Sequence, residues 1–314
     1  MTLGYDKPLY MLAFDHRGSF QKSLLGIDGI PNAAEADRIT DAKRILYEAF
    51  ELVVDNGVDR EALGLLVDEE YGGDIARRAK ESGVALAMPV EKSGQDEFDF
   101  EFGEDYGAHI EDFDPTFAKV LVRYNPEGDA DLNLRQARRL RRLCEWLHER
   151  DRKFLFELLV PPTPEQLERV EGDPGRYDLE IRPGLLLDSI RELQEEGVEP
   201  DIWKIEGLDR REDCERVAEQ ARADGRDGVA CIVLGRGANE SRVVRWLEQG
   251  AGVPGYIGFA VGRTLWWDEL TEYVAGRLKR ERAAERIAGN YTRMIKAYIQ
   301  AERERAPLRA GHTA

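Results

Sequence analysis

The sequence predicts an α/β protein of the (β/α)8 TIM-barrel kind, on three observations. Eight short apolar runs each end in a charged or turn-forming stretch, as fully buried parallel strands do. Segments with helical apolar spacing separate most of these runs, which is the strand-then-helix alternation of a parallel sheet covered on both sides. The eight units occupy roughly 260 residues, the usual size of a closed barrel. A doubly wound sheet is the alternative, but no Gly-x-Gly-x-x-Gly turn follows the first strand.

The elements follow in order. Leu9–His16 is the first apolar run, and Glu35–Val54 carries Ile39, Leu46, Ala49, Phe50 and Val53 at helical spacing before a stop at Asn56-Gly57. Ala62–Asp68 is the second strand, followed by a helix to Ser82-Gly83, and Val84–Val90 is the third. Ala118–Tyr124 is the fourth, stopped by Asn125-Pro126 and followed by a basic helix over Leu132–Arg150. Lys153–Val160 is the fifth, halted by Pro161-Pro162. Helical pieces at Pro164–Val170 and Pro183–Glu196 lead to the sixth, Asp201–Glu206. Helix Arg211–Ala223 precedes strand seven, Val229–Gly235, and helix Glu240–Gln249 precedes strand eight, Gly255–Val261. Helix continues from Thr264, with a terminal helix near Ala283–Glu302. One domain over 1–303 and a loose tail over 304–314 are expected.

Composition narrows the partners. The 314 residues carry a net charge of -17, which disfavours nucleic acid and anionic membrane. An anionic substrate therefore needs a local basic pocket. Three widely spaced cysteines, Cys144, Cys214 and Cys231, suggest a reducing compartment, and no basic-then-apolar leader or run of about 18 apolar residues is present. A cytoplasmic protein is expected, with room for a homo-oligomer.

Barrel active sites lie at the C-terminal strand ends. Charge gathers there: Asp15, His16 and Arg17; Asp68 and Glu69; Glu91 and Lys92; Lys119 and Arg123; Glu157; Lys204 and Glu206; Arg236; Arg263. Strand ends abut polar loops anyway, which accounts for His16, Glu69 and Lys92. Lys119, Glu157 and Lys204 instead lie within apolar runs. An edge strand would put Lys204 in water, but alternation sets Lys204 beside Ile202 and Glu206, Lys119 beside Leu121 and Arg123, and Glu157 beside Leu155 and Leu159. If those faces look inward, two lysines and a carboxylate share one cavity. A desolvated lysine near a second cation loses its proton more easily, and the neutral amine attacks a carbonyl to form a Schiff base. Glu157 or Asp15 would move the protons. Strands seven and eight end in Gly235-Arg236-Gly237 and Gly262-Arg263-Thr264, each a strand-to-helix turn suited to an anion such as phosphate. With four histidines, two of them on a helix and in the tail, a zinc site is disfavoured. Carboxylate-bound Mg2+ at Asp68, Glu69 and Glu91 is not demanded by the spacing, so neither metal nor cofactor is expected.

These strand motifs resemble a family. Leu65–Gly72, Ala118–Tyr124, Phe156-Glu157, Trp203–Glu206 and Gly262–Trp266 are similar to class I tagatose-1,6-bisphosphate aldolases. Leu9–Arg17, Pro89–Gly94, Phe156–Pro162, Asp201–Gly207 and Gly258–Thr264 more closely resemble the aldolase-like domain fused behind 5-dehydro-2-deoxygluconokinase in myo-inositol catabolism. The resemblance spans about residues 5 to 300 and implies Lys204 as the Schiff-base lysine, Lys119 as its neighbour, Glu157 as the nearby carboxylate and Arg263 as a phosphate ligand. It implies cleavage of 2-deoxy-5-keto-D-gluconate 6-phosphate to dihydroxyacetone phosphate and malonate semialdehyde, and a pathway link to a sugar kinase. Gly235-Arg236-Gly237 departs from the Ser-Ala-Gly-like turn of the tagatose enzymes, so the anion pocket is expected to differ.

The expectation is thus a Schiff-base aldolase acting on a sugar phosphate. Arg17 or Arg123 would take a substrate carboxylate, Asp68 would contact substrate, and Glu206 would stand behind Lys204. A non-catalytic sugar-phosphate-binding barrel and an isomerase or epimerase are the competing readings. The acidic, aromatic stretch 91–115 is expected to be a solvated excursion anchored by packing, with a lid or subunit contact as the functional alternative.

Overall fold

The computed structural model describes residues 2–305. Eight strands, β1 (Leu9–Ala13), β2 (Leu63–Leu66), β3 (Ala85–Pro89), β4 (Phe117–Arg123), β5 (Lys153–Leu159), β6 (Ile202–Glu206), β7 (Ala230–Leu234) and β8 (Tyr256–Val261), close into a barrel in sequence order. Every neighbouring pair is parallel, including β1 with β8. The predicted fold is present.

The helices are α1 (Ala33–Asp55), α2 (Glu69–Ser82), α3 (Tyr106–Phe113), α4 (Ala130–Glu149), α5 (Pro164–Arg169), the single turn α6 (Pro174–Arg176), α7 (Arg182–Glu195), α8 (Arg211–Ala221), α9 (Glu240–Gly250), α10 (Arg263–Val274) and α11 (Arg280–Arg305). Local chemistry starts them where expected. Asn32 caps α1 reciprocally with Glu35, Thr163 caps α5 with Gln166, and Asp129 and Asn239 cap α4 and α9. Gly83 ends α2 in the left-handed region at φ 75°.

Period-two alternation divides the strand residues between two cores. Trp203, Ile205, Phe156 and Val120 face outward into the layer beneath the helices. Leu9, Met11, Leu66, Ala87, Phe117, Leu155, Ile202 and Ile232 fill the barrel interior and form a dry floor. The next inward positions above that floor carry the charges.

The N-terminal segment runs beneath the floor. Tyr5 packs edge-on against Phe117 with ring centroids 5.1 Å apart, and its N–H donates to the Gly228 carbonyl at 3.0 Å. Asp201 fastens this strap from the start of β6. Its carboxylate accepts from Gly4 N at 2.8 Å and Phe154 N at 2.8 Å, and pairs with Lys153 at 3.0 Å.

Three boundaries differ from the sequence expectation. The first two strands end earlier, so Asp15 and Asp68 stand in the loops that leave the barrel, as Glu91 does beyond β3. The stretch 91–115 contains helix α3, only eight residues long, whose buried face is the short set Tyr106, Ile110 and Phe113. Glu304 and Arg305, assigned to the tail, continue α11, and residues 306–314 lie outside those described.

Asp201 is fully buried and holds two backbone donors and an ammonium. Asp201→Ala strands all three, and about 3–5 kcal/mol of stability is expected to be lost. Urea denaturation of the variant against wild type measures this, and a loss below about 1 kcal/mol would show that the strap is held by packing alone.

Candidate active site

Three consecutive strands point charged side chains into the barrel mouth. Glu157 on β5 lies level with Lys204 on β6 and with Leu121 on β4, so Lys119 sits one step deeper. Lys204 Nζ is 2.8 Å from Glu157 Oε2, and Lys119 Nζ is 3.1 Å from the same oxygen. Two loop carboxylates complete the group: Asp15 Oδ2 at 2.8 Å and Glu91 Oε1 at 2.6 Å from Lys119 Nζ. Lys119 is 1% exposed and Lys204 3%, so these charges face one another and the cavity rather than bulk water.

Burial and pairing compete at each group. Burial alone would push Asp15 and Glu157 up. Lys119 and His16 override it at Asp15, and Lys204 and Lys119 override it at Glu157, so both carboxyls sit below their ordinary range. Burial would likewise strip the Lys119 proton, but Asp15, Glu91 and Glu157 together hold its pKa well above the ordinary value. Glu91 goes the other way: burial raises it, and Lys119 does not fully compensate. His16 is pulled down to about 4, first by burial, although 32% of its side chain is still open to solvent at the mouth. Lys119 is therefore a fixed positive charge. Lys204 faces one carboxylate, Glu157.

The mouth has two lobes. One, of about 620 Å3, is lined by Asp15, Arg17, Glu91, Lys92, Lys119 and Glu157 among others. The other, of about 400 Å3, is lined by Lys204, Glu206, Gly235, Arg236, Gly237, Gly262 and Arg263. His16, Leu121, Arg123 and Glu157 border both, so Glu157 stands at the seam.

The second lobe has the features of an anion pocket. Arg263 begins α10, whose first turn has no side-chain cap. Its guanidinium passes over Gly237, where an added Cβ would lie 3.0 Å from Nη2. Gly262 is required by close approach, since a Cβ there would meet the Ala13 carbonyl at 2.5 Å. Arg263 forms no ion pair among the described residues.

The remaining predicted residues separate. Arg236 reaches the lobe, but its charge is engaged by Glu206 at 2.9 Å and Asp178 at 2.8 Å. Glu206 also accepts from Val160 N at 2.9 Å, bracing the turn after β5 behind Lys204. Arg17 is tied to Glu101 at 2.6 Å and to the Glu91 carbonyl at 2.8 Å. Arg123 gives one N–H to the Gln95 carbonyl at 2.8 Å and otherwise faces the seam. Asp68 is a correction. It is fully buried, lines neither lobe, pairs with Lys43 of α1 and caps α2 through Tyr71 N, so it is placed to hold elements together and not to meet a substrate. The carboxylates considered for Mg2+ also diverge: Asp68 to Lys43, Glu69 to His109, and Glu91 to Lys119.

The stretch 91–115 is pinned as a wall. Phe98, Phe100, Tyr106 and Phe113 are buried, Phe100 stacks on Tyr106 at 4.2 Å, and Glu97 pairs with Arg135 and Arg139 of α4. Glu91 leads this wall. Sequence reasoning placed it among the strand-end charges and as a possible metal ligand but gave it no catalytic role, although its spacing from Ala87 and Pro89 gives it the inward parity of β3.

A family model described as "Uncharacterized protein conserved in bacteria (DUF2090)" matches residues 4–302. The chain belongs to the DUF2090 family. No curated protein matches this DUF2090 chain. Among solved structures it is similar to Cgl0159 from Corynebacterium glutamicum, with TM-score 0.56 and 16% identity over 92% of this chain and 88% of that one. It is similar to the fructose-bisphosphate aldolase of Plasmodium falciparum, with TM-score 0.62 and 13% identity over 96% and 97%. The fructose-bisphosphate aldolase of Slackia heliotrinireducens matches with TM-score 0.52 and 14% identity over 90% and 86%. At these identities the likeness is one of fold: the DUF2090 barrel is built like those aldolases.

Removing the Lys119 charge leaves three buried carboxylates facing each other. Lys119→Met is expected to cost about 3–5 kcal/mol near pH 7. Asp15 and Glu157, depressed in the wild type, contribute stability above their ordinary pKa values that is lost as pH falls through the lowered ones. The variant lacks the main cation at Asp15 and one of the two at Glu157, so its deficit should shrink near pH 5, where the carboxyls take up protons. Urea titrations at both pH values check this, and a deficit independent of pH would refute it.

Proposed function

We propose that the protein is a Schiff-base aldolase cleaving a phosphorylated keto-sugar acid. The observation that carries this reading is Glu157 Oε2 held between two lysines, one of them fixed in its charged form. Such an arrangement separates the roles that imine chemistry needs. Lys204 passes its proton to Glu157, and the free amine attacks the substrate ketone. Loss of water then gives an iminium, with Glu157 returning the proton that makes hydroxide a leaving group. The iminium accepts the electron pair of the breaking C–C bond while Glu157 or Asp15 takes the proton of the substrate hydroxyl. Lys119 supplies positive charge beside the oxygen that becomes the aldehyde.

The lobes support a division of the substrate. The phosphate half suits the smaller lobe, with Arg263 and the uncapped start of α10, and the acid half suits the larger one, with Arg123 at the seam. With the resemblance, this makes 2-deoxy-5-keto-D-gluconate 6-phosphate the proposed substrate, and dihydroxyacetone phosphate and malonate semialdehyde the products. Such a substrate must be supplied by phosphoryl transfer to a sugar acid, which is the proposed link to a sugar kinase in the cytoplasm.

Borohydride reduction in the presence of dihydroxyacetone phosphate is expected to fix one adduct on the Lys204 peptide, read by mass spectrometry. An adduct on Lys119 would reverse the lysine roles. Phosphate binding without any adduct would favour a non-catalytic sugar-phosphate barrel. Arg263→Ala is expected to raise the dihydroxyacetone phosphate concentration for half-maximal trapping about 100-fold. Arg123→Gln should leave trapping intact and slow condensation with the carboxylated aldehyde more than with an uncharged one. Equal slowing with both would remove Arg123 as the carboxylate contact.

A further inference from the structure

Glu91 has no place in the chemistry described so far, yet it touches the central cation and lines the larger lobe. Its residue is 9% exposed, and its two oxygens differ. Oε1 accepts from Lys119 at 2.6 Å, whereas Oε2 is buried with no partner. A carboxylate oxygen so placed would carry uncompensated charge, while a carboxyl O–H there would be a donor waiting for an acceptor.

Charge balance favours the second state. Asp15, Glu91 and Glu157 face Lys119 and Lys204, three acids against two cations, and passing the Lys204 proton to Glu157 leaves that excess negative charge in the cluster unchanged. A buried cluster of that charge holds a proton on one carboxyl. Glu157 touches both lysines, and Asp15 touches Lys119 and also lies in the field of Lys204, which hold its carboxyl down. Glu91 has one ammonium, and the other charged groups around it do not relieve it: Asp15 and Glu157 repel it, while Arg17 is spent on Glu101 and the Glu91 backbone carbonyl. Burial and Asp15 both push its carboxyl upward.

We propose that Glu91 is a further catalytic residue, a neutral carboxylic acid that turns its O–H out of the buried Oε2 position toward the larger lobe and donates a hydrogen bond to the substrate oxygen that becomes the aldehyde carbonyl. This rests on the Schiff-base reading above, which puts the leaving aldehyde in the larger lobe. Negative charge grows on that oxygen in either direction of the reaction, and a prearranged neutral donor stabilises it without moving a proton. Glu157 remains the group that carries protons.

Two measurements test this. Difference infrared spectra of wild type and Glu91→Gln near pH 7, without substrate, should show loss of a protonated-carboxyl carbonyl band. In condensation of dihydroxyacetone phosphate with malonate semialdehyde, Glu91→Ala should fall about 100-fold in kcat/KM, as for loss of one oxyanion donor. Glu91→Gln, which still presents N–H groups, should recover most of that loss. The wild-type rate should decline on the alkaline side as Glu91 ionises, and this limb should vanish in Glu91→Gln. No missing band, or a Gln variant as impaired as Ala, overturns the proposal. If dihydroxyacetone phosphate does not label Lys204 in the wild type, the Schiff-base reading falls and this role with it. Labelling of Lys204 without the band or the rescue removes only the role of Glu91.

Discussion

One carboxylate oxygen between two buried ammonium groups sets the terms for the mouth of this barrel. Glu157 Oε2 contacts Lys119 and Lys204 at hydrogen-bonding distance, so neither lysine can be considered alone. Burying two cations this deep is unfavourable without acids beside them. The chain supplies those acids asymmetrically, with three around Lys119 and one at Lys204. The asymmetry distinguishes two residues of the same type: Lys119 is held as a permanent charge by three acids, and Lys204 meets one.

Much of this was legible in the sequence because a strand has a strict period of two. Lys119, Glu157 and Lys204 each interrupt an apolar run, and alternation put each on a defined face before any fold was known. The barrel floor then confirmed which face was inward, since Leu155 and Ile202 lie on it directly below Glu157 and Lys204. The glycine–arginine turns after strands seven and eight were equally readable, because backbone approach and anion binding both leave a mark in residue type.

What stayed hidden depends on partners distant in sequence. Asp68 has the inward parity of its strand, yet Lys43, arriving from α1, takes it out of the cavity. Arg236 looked as free as Arg263 until Asp178 and Glu206 were seen to hold it. Glu91 sits just past a strand end, where parity weakens, and its meaning comes from Lys119 on the next strand. Helix α3 was missed because it is two turns long, and its apolar face of Tyr106, Ile110 and Phe113 is too short to stand out in an aromatic, acidic stretch.

The strap beneath the barrel bears on traffic through the site. Tyr5 and the Asp201 clamp seal the end opposite the mouth, and the packed floor lies between that seal and the lysines. Among the described residues, the chamber is a cul-de-sac. On the proposed chemistry, two fragments are born in it and one is still bonded to Lys204 when the other is free. With a single doorway, the untethered fragment departs first and the tethered one follows, so the order of departure is written into the architecture.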